Sequence, residues 1–359
     1  MIPIVIVFFI AGLSLNTKDM GKALRHWPGV VWGIVAILAV TPCLGFALRA
    51  VPLVPSEFAA GLAIFAAAPT TLGVGAALVR SAGGNDTLAT MLMTGTSLLS
   101  VFTIPLWLKA LLGSSSTASD GSTFSLAIDV GQMFWQLVVT VLVPALVGKA
   151  ARELVGPARR FATKWKQALG MLSVLCLAFI VWQTLSGAQA LLVAQQFVQI
   201  LYVILAAIAQ HLVYLAFNVA VLAAVFKMPV EEGVAVAIMG SQKSAPVAVT
   251  AITYVTKDAG IQGLLSVPCI VGQLAQIFLG AAYAPWVARR VKRVQAARKE
   301  AEAAGAAAAG GGGDGGAAAA AAAADGADGA EGKAVELANL DLEAPPIAAA
   351  AAVSTLQPQ

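Results

Sequence analysis

The chain has 359 residues, of which 59% are hydrophobic and only 11% are charged, and its mean hydropathy is +0.85. Soluble domains carry about 25% charged residues, so this composition excludes a soluble globular protein and predicts an all-α protein that crosses a membrane several times. The formal net charge is +4, but nine of the eighteen acidic residues lie in the last sixty positions. The remainder of the chain is therefore strongly basic.

Apolar segments of nearly the length needed to cross a bilayer, roughly 20 residues, occur nine times. They cover residues 2–15, 29–50, 57–82, 87–112, 130–150, 167–187, 198–226, 233–255 and 260–287. When the loops are assigned alternately to two sides, most Lys and Arg residues fall on one side. This bias predicts that the C-terminus lies on the cytoplasm-like side. The odd number of spans, with a first segment that starts at the initiator Met, predicts that one N-terminal helix is missing.

Composition divides the chain into a transmembrane domain, residues 1–290, and residues 291–359, a basic juxtamembrane segment with an acidic Ala/Gly-rich tail. The tail lacks the apolar content that would offset the entropy of ordering, so we expect it to be disordered. The basic segment predicts a topology anchor that contacts membrane lipid and not nucleic acid. The three cysteines stand far apart, which predicts neither a metal site nor a disulfide, and no cofactor is expected. The oligomeric state stays open.

Two apolar segments are interrupted by helix-breaking residues. In residues 57–82 the interruption is Pro69-Thr70-Thr71-Leu72-Gly73-Val74-Gly75, and in residues 233–255 it runs from Gly240 to Pro246. Each interrupted segment is followed by a span that contains an internal proline. Paired interruptions at corresponding positions of two halves are typical of secondary transporters built from repeats, which bind their substrates where the broken helices meet.

The second interruption carries Lys243, and lysine at bilayer depth costs about 2.5–3.5 kcal/mol on insertion scales. Lys243 therefore predicts a functional site, in which neighbouring oxygens would suit a hard cation or a substrate. The predicted site comprises Thr70, Thr71, Ser241, Gln242, Lys243 and Ser244. The alternative for the Ser and Gln side chains is hydrogen bonding between helices, and for the Thr hydroxyls it is bonding to backbone freed by the proline.

Polar side chains form stripes on three other spans, and a polar stripe on a membrane helix must face protein or a cavity. These predicted lining residues are His211, Tyr214 and Asn218, with Gln210, on one span, Gln273 and Gln276 on the last, and Thr94, with Thr96, Ser97 and Ser100, on the third. His211 suits proton relay near neutral pH. A lone intramembrane histidine is nevertheless more often a hydrogen-bonding residue between packed helices.

Four runs of sequence occur in a fixed order: GLAIFAAAPTTLGVGAALVRSAGGN, HLVYLAFN, GSQKSAPVAV and VPCIVGQLAQI. They resemble the bile acid:sodium symporter (BASS) family, specifically its plastid sodium/metabolite cotransporter branch, over about residues 1–290. The resemblance implies ten spans in two inverted repeats of five. The fourth and ninth spans would be broken and would cross in a core domain that rocks against a panel domain. On that map the nine segments correspond to the family's second to tenth helices, and the three polar stripes surround the crossing point.

The ion ligands depart from the family pattern. In the sodium-coupled members of the family that this chain resembles, a Ser-Asn pair lies at the break of the fourth helix. In the ninth helix of those members, a Glu precedes the Gln by four residues. Here the Ser-Asn pair is absent and Ile238 stands in place of the Glu, while Gln242 matches the family glutamine and is the candidate ligand for Na⁺. Lys243 replaces the usual Asn, so its ammonium would lie where such members hold sodium and would face an anionic substrate. The alternative is that Lys243 snorkels to the interface. Sodium coupling is therefore doubtful, and proton coupling is the other possibility.

Protease, hydrolase and P-loop motifs are absent from the sequence, so an enzyme is not expected. The resemblance implies a secondary transporter of small organic anions, namely carboxylate metabolites such as keto acids, pantoate-like acids or sterol-type anions. The alternative function is a non-transporting membrane regulator of ion homeostasis. The plastid branch implies the chloroplast envelope, with the plasma membrane or another intracellular membrane as the alternative, because no transit peptide is visible.

Overall fold

The computed structural model describes residues 2–14, 27–71, 73–113, 116–117, 123–124, 129–187, 189–226 and 228–310. The described chain is helical apart from its connections and one antiparallel pair of two-residue strands, β1 (Ser116–Thr117) and β2 (Thr123–Phe124). In chain order the helices are α1 (Ile2–Ser14), α2 (Trp27–Arg49), α3 (Ser56–Ala67), α4 (Val74–Ser81), α5 (Asp86–Leu112), α6 (Val130–Leu154), α7 (Gly156–Lys164), α8 (Lys166–Gly187), α9 (Gln189–Val193), α10 (Phe197–Ala224), α11 (Val230–Ser241), α12 (Ala245–Val255) and α13 (Ala259–Gly310).

Six helices in the described chain are long and apolar enough to cross a membrane: α2, α5, α6, α8, α10 and α13. They correspond to six of the predicted segments, and they agree with a polytopic helical membrane protein. The other three predicted segments differ in form. Helix α1 has 13 residues, and the segments 57–82 and 233–255 are each divided into two helices. The total of nine spans and the inverted repeat stay predictions.

The first interruption, described at residues 68–71 and 73, follows from a proline and a glycine. Pro69 excludes the helical backbone at the preceding residue, and Ala68 is extended with ψ 151°, so α3 ends at Ala67. Helix α4 begins after Gly73, whose φ of 88° lies in the left-handed region that residues with a Cβ rarely adopt. The structure therefore breaks this segment where the sequence places its helix-breaking residues.

The second interruption, residues 242–244, separates α11 from α12. Helix α11 ends at Ser241, and Gln242 is extended with ψ 137°. Helix α12 begins at Ala245 with Pro246 in its first turn, where the missing proline N–H costs no intrahelical bond. The break is short, so its unpaired backbone groups are concentrated within a few residues.

The two interruptions lie deep inside the described bundle. Every residue of α3 from Phe58 to Ala67 is buried, and α3 packs against α2, α5 and α12. Helix α13 approaches α3 closely at Gly61, where a Cβ would lie 2.3 Å from the carbonyl oxygen of Leu265. Polar groups exposed by the breaks therefore need partners from the protein.

The chain divides into two compact units, Met1–Ala284 and Pro285–Gln359, whereas composition predicts a boundary at residues 290 and 291. Within the second unit, α13 continues to Gly310, into a stretch whose composition predicts disorder. Alanine has the highest intrinsic helix propensity, which favours this extension. Residues 311–359 of the predicted tail lie outside the described residues.

Candidate functional site

Lys243 is buried, with 1% of its surface exposed, and lies where the two interruptions meet. Its ammonium nitrogen Nζ donates hydrogen bonds to the carbonyl oxygens of Ile37, at 2.8 Å, and Ala68, at 2.9 Å. Nζ also lies 5.7 Å from the centroid of the Tyr214 ring, within the range of a cation–π interaction. The lysine thus joins the second interruption to α2, to the first interruption and to α10.

Both carbonyls that accept from Lys243 lie where the regular α-helical hydrogen-bond pattern is interrupted next to a proline. Helix α2 contains a π-turn at Ala36–Val40, in which the Thr41 N–H donates to the Ala36 carbonyl. In this geometry the partner of the Ile37 carbonyl would be residue 42, but Pro42 has no N–H. The Ala68 carbonyl follows the end of α3 and precedes Pro69. Among the described residues neither carbonyl has a backbone donor. The Thr41 hydroxyl donates to the Ile37 carbonyl at 3.0 Å, and Lys243 donates to both carbonyls.

Two glutamines of α13 bond the backbone of the second interruption. The Lys243 N–H donates to Gln276 Oε1 at 2.8 Å, and Gln276 Nε2 donates to the Lys243 carbonyl. The Ala245 N–H donates to Gln273 Oε1 at 3.0 Å. A continuous helix would have paired these groups internally. Gln242 Nε2 also donates to the Gln276 carbonyl, at 3.1 Å, so α13 holds this interruption at several points.

Direct hydrogen bonds tie the two interruptions together. Thr70 Oγ1 donates to the Met239 carbonyl at 2.7 Å, and the Ser244 N–H donates to the Pro69 carbonyl at 2.9 Å. The hydroxyl of Thr71 instead accepts from the Gly75 N–H at 2.9 Å, within its own segment. Thr70 therefore bridges the interruptions, whereas Thr71 caps the start of α4.

The polar stripe of α10 faces the second interruption. His211 Nδ1 lies 3.0 Å from the Ser241 carbonyl, and because a carbonyl only accepts, Nδ1 is the protonated nitrogen in this geometry. The Tyr214 hydroxyl donates to the Thr41 carbonyl on α2 at 3.0 Å. Asn218 packs directly on Gly240, where a Cβ would lie 2.8 Å from the Asn218 side-chain oxygen. These residues fix α10 against both α2 and α11.

Several buried acceptor atoms around the second interruption have no hydrogen-bond partner among the residues that the structure describes. They are His211 Nε2, Asn218 Oδ1, Gln242 Oε1 and Ser244 Oγ, with Gln210 Oε1 on the same stripe. Buried polar atoms are rarely left without a partner. The described ion pairs do not include Lys243, so its charge meets carbonyls and a ring face but no described carboxylate. The arrangement combines a buried lysine amino group with acceptors that have no partner in the described chain.

The structure brings the predicted residues of the interruptions together with those of α10 and α13. The exception is Thr94: it is buried on α5, and it makes no hydrogen bond to either interruption in the described chain. Its neighbours Thr96, Ser97 and Ser100 donate hydrogen bonds to carbonyls of their own helix.

The sequence analysis missed three residues near Lys243. Ile37 and Ala68 accept hydrogen bonds from Lys243 through their backbone carbonyls. The third is Tyr283, whose hydroxyl lies beside Ser241 and Gln242. Pro42 was the one feature of the sequence that could have indicated a carbonyl without a backbone partner at Ile37.

A sodium ion fits this set of residues poorly. Gln242 Oε1 is a free oxygen, but a fixed ammonium lies on the adjacent residue, and like charges repel. The absence of the Ser-Asn pair and the presence of Ile238 also argue against a sodium ion at this position. No step of a mechanism is therefore assigned to sodium.

Comparison with known proteins agrees with this fold and these motifs. The profile of the SBF-like CPA transporter family matches residues 1–289. The chain belongs to this family. The resemblance to the bile acid:sodium symporters is thereby confirmed, and members of the family are transporters rather than enzymes. Together with the six long apolar helices, membership establishes a multi-pass integral membrane protein.

Individual relatives carry cotransporter names. A protein of Arabidopsis thaliana named probable sodium/metabolite cotransporter BASS4, chloroplastic, is 32% identical over 80% of this chain and 65% of its own length. The protein of the same name from Oryza sativa subsp. japonica is 30% identical over 81% of this chain and 69% of its own length. Sodium/bile acid cotransporter 7 of Danio rerio is 25% identical over 81% of this chain and 85% of its own length. The chain thus spans about two thirds of the plant relatives.

Proposed function

We propose that this protein is a secondary transporter of small organic anions that works by alternating access, with Lys243 in the place of a coupling sodium ion. The observation that carries the proposal is the buried ammonium, held by carbonyls of two other segments where the interruptions meet. The cotransporter names of the relatives support transport. The substrates we favour are carboxylate metabolites, such as keto acids, pantoate-like acids or sterol-type anions.

Anion selection would come from two positive features side by side. Helix α12 begins at Ala245, two residues after Lys243, and the N-terminus of a helix carries a partial positive charge. Unit charges 4 Å apart attract by about 4 kcal/mol at an effective dielectric constant of about 20. A carboxylate near the Ser244 hydroxyl, which lacks a partner in the described chain, would gain both contributions.

Alternating access requires a rigid body that carries the site. The bonds from Thr70 to Met239 and from Ser244 to Pro69 join α3 to α11 and α12, and Lys243 adds α2. We assign these helices to a core. Helices α1 and α6 are the candidates for the panel, because they pack on each other and Arg152 Nη1 donates to the Leu13 carbonyl at 2.8 Å.

The transport proposal is tested by uptake into proteoliposomes from a panel of monocarboxylates and dicarboxylates, with sodium or potassium outside and with or without a proton gradient. We expect uptake of at least one anion class that is insensitive to replacing sodium with potassium. A steep dependence on sodium, with a Hill slope of about two, would contradict the absence of sodium coupling.

The role of Lys243 is tested with Lys243→Met, and Lys257→Met, at an exposed lysine, is the matched control. We expect Lys243→Met to weaken anion binding by about 100-fold or more, since about 4 kcal/mol corresponds to about a 1000-fold change. The variant should elute from gel filtration like the parent. If it binds and carries anions like the parent, Lys243 is structural and the site lies along His211, Tyr214 and Asn218.

The second candidate is a membrane regulator of ion homeostasis that does not transport. It is favoured by the way Lys243 is enclosed, since 1% of its surface is exposed and its ammonium already bonds two carbonyls. A regulator should keep its function in Lys243→Ala and lose it when the chain is truncated after Lys299. A carrier should behave in the opposite way.

For location, we propose the chloroplast envelope, because the relatives in Arabidopsis thaliana and Oryza sativa are named chloroplastic. The plasma membrane or another intracellular membrane is the alternative. Imaging of the full-length native protein with an antibody against its C-terminal residues distinguishes them.

A further inference from the structure

Helix α7 is a short amphipathic connection between two spans. Its nine residues follow Val155, where α6 has ended, and precede α8. It contacts α1, α6 and α8, but Ala162 is its buried residue and most of its other side chains are exposed. Because α6 and α8 are each long and apolar enough to cross a membrane, we expect the connection between them to lie where the bilayer meets water.

A cationic stripe runs along the exposed side of α7, with two aromatic side chains beside it. Arg160 and Lys164 are four residues apart and lie on one face of α7. Phe161 lies beside them, and Trp165 is the residue directly after the end of α7. Phe161 is 51% exposed and Trp165 49% exposed. The Lys164 ammonium lies 5.7 Å from the centroid of the Trp165 ring, which places the cationic stripe beside this ring.

The cationic stripe has no described counter-charge. Ion pairs in the described chain include those of Arg80 with Asp86 and of Lys149 with Glu153, and neither of these involves α7. Arg159 adds a third exposed cation to the same helix. A helix at the membrane surface with aromatic side chains beside basic ones has the composition of an interfacial helix. Aromatic rings settle at the level of the headgroups, and basic side chains reach the lipid phosphates.

We infer that the exposed side chains of Arg160, Phe161 and Lys164 on α7, with Trp165 directly after it, bind the headgroups of anionic phospholipids. The charge of the stripe selects anionic over zwitterionic lipid, and the two rings hold the helix at the interface. This site is separate from the interruptions around Lys243, so it stands whether or not the proposed transport function does.

The test measures lipid binding by the full chain, purified in detergent, by native mass spectrometry during titration with dioleoylphosphatidylglycerol or dioleoylphosphatidylcholine. The test variant is Arg160→Gln with Lys164→Gln. The matched control is Lys109→Gln with Lys257→Gln, which removes two exposed lysines outside α7. A third variant, Arg160→Lys with Lys164→Arg, keeps both charges.

We expect the parent to prefer phosphatidylglycerol and the test variant to lose about 25-fold in affinity for it, from about 5-fold per charge. The control and the charge-keeping variant should bind like the parent. The inference is overturned if the test variant binds phosphatidylglycerol like the parent, which would leave α7 to an acidic protein partner. It is also overturned if the control or the charge-keeping variant loses as much affinity as the test variant.

Discussion

The first interruption, between α3 and α4, presents the carbonyl oxygens of Ala68 and Pro69, whereas the second, between α11 and α12, presents the donors that reach them. Lys243 Nζ and the Ser244 N–H are those donors. Both segments resemble each other in sequence, as helices broken by proline and glycine. In these bonds the first segment supplies acceptors and the second supplies donors, while the Thr70 hydroxyl donates in the other direction, to the Met239 carbonyl.

The two interruptions also differ in what holds them. The first contains its own partners, because the Thr71 hydroxyl accepts from the Gly75 N–H and Gly73 makes the turn. The second depends on other helices, because Gln273 and Gln276 of α13 bond its backbone and His211 of α10 faces the Ser241 carbonyl. Any movement of the second interruption must therefore take α10 and α13 with it or break these bonds. Substitutions on α13 should damage the second interruption more than local substitutions damage the first.

The largest expected effect comes from Gln276→Leu, which leaves both the N–H and the carbonyl of Lys243 without a partner. Each unsatisfied buried backbone group costs about 1–3 kcal/mol, so we expect the free energy of unfolding to fall by about 2–6 kcal/mol. Gln273→Leu strands the Ala245 N–H alone and should cost about half as much. Equilibrium unfolding in mixed micelles, followed by circular dichroism, measures both.

The control for this series is Gln196→Leu, because Gln196 precedes α10 and its side chain makes no capping hydrogen bond. It should leave the free energy of unfolding unchanged within about 0.5 kcal/mol. If Gln273→Leu proves as costly as Gln276→Leu, or if neither differs from the control, then α13 does not hold the second interruption in the way the hydrogen bonds indicate.

An intermediate effect is expected from Thr70→Val, which removes the hydroxyl that joins the two interruptions. The Met239 carbonyl would lose its donor at 2.7 Å, at a cost of about 1–3 kcal/mol in the free energy of unfolding. Valine has nearly the shape of threonine, so packing should survive. Thr70→Ser keeps the hydroxyl and should retain most of the stability. Equal losses in the Val and Ser variants would show that the methyl group matters and the bridge does not.

Sequence reasoning located both interruptions because prolines and glycines act on the backbone locally. Pro69 and Gly73 bound the first, and Pro246 follows the second, as predicted. It also selected side chains that prove to be neighbours, because a polar residue on a membrane helix needs a protein partner. Gln276 and Thr70 are examples. Gln276 accepts from the Lys243 N–H, and Thr70 donates to the Met239 carbonyl, so both bond the second interrupted segment from distant parts of the chain.

What the sequence did not reveal was the pair of acceptors for Lys243. The carbonyls of Ile37 and Ala68 are backbone atoms, which every residue has, and the bond to Ile37 joins positions 206 residues apart. Only the π-turn before Pro42 makes the Ile37 carbonyl available, and a π-turn is set by geometry as much as by composition.

Thr94 shows a second limit of prediction from sequence, which concerns side chains. Periodicity assigns it to a face of α5, but it cannot tell whether hydroxyls on that helix turn outward or bond their own carbonyls.

The smallest expected effect is that of Thr71→Val, the local counterpart of the α13 substitutions. The Thr71 hydroxyl accepts from the Gly75 N–H at 2.9 Å, which is a helix cap at the start of α4. Loss of such a cap costs about 1 kcal/mol, and water can replace the hydroxyl only if α4 opens locally. The free energy of unfolding should therefore fall by about 1 kcal/mol, hydrogen exchange should quicken in α4, and exchange in α12 should stay as in the parent. Thr71→Ser should restore parental exchange. Faster exchange in α12 as well would mean that the first interruption is not held by its own residues, and the contrast between the two would fail.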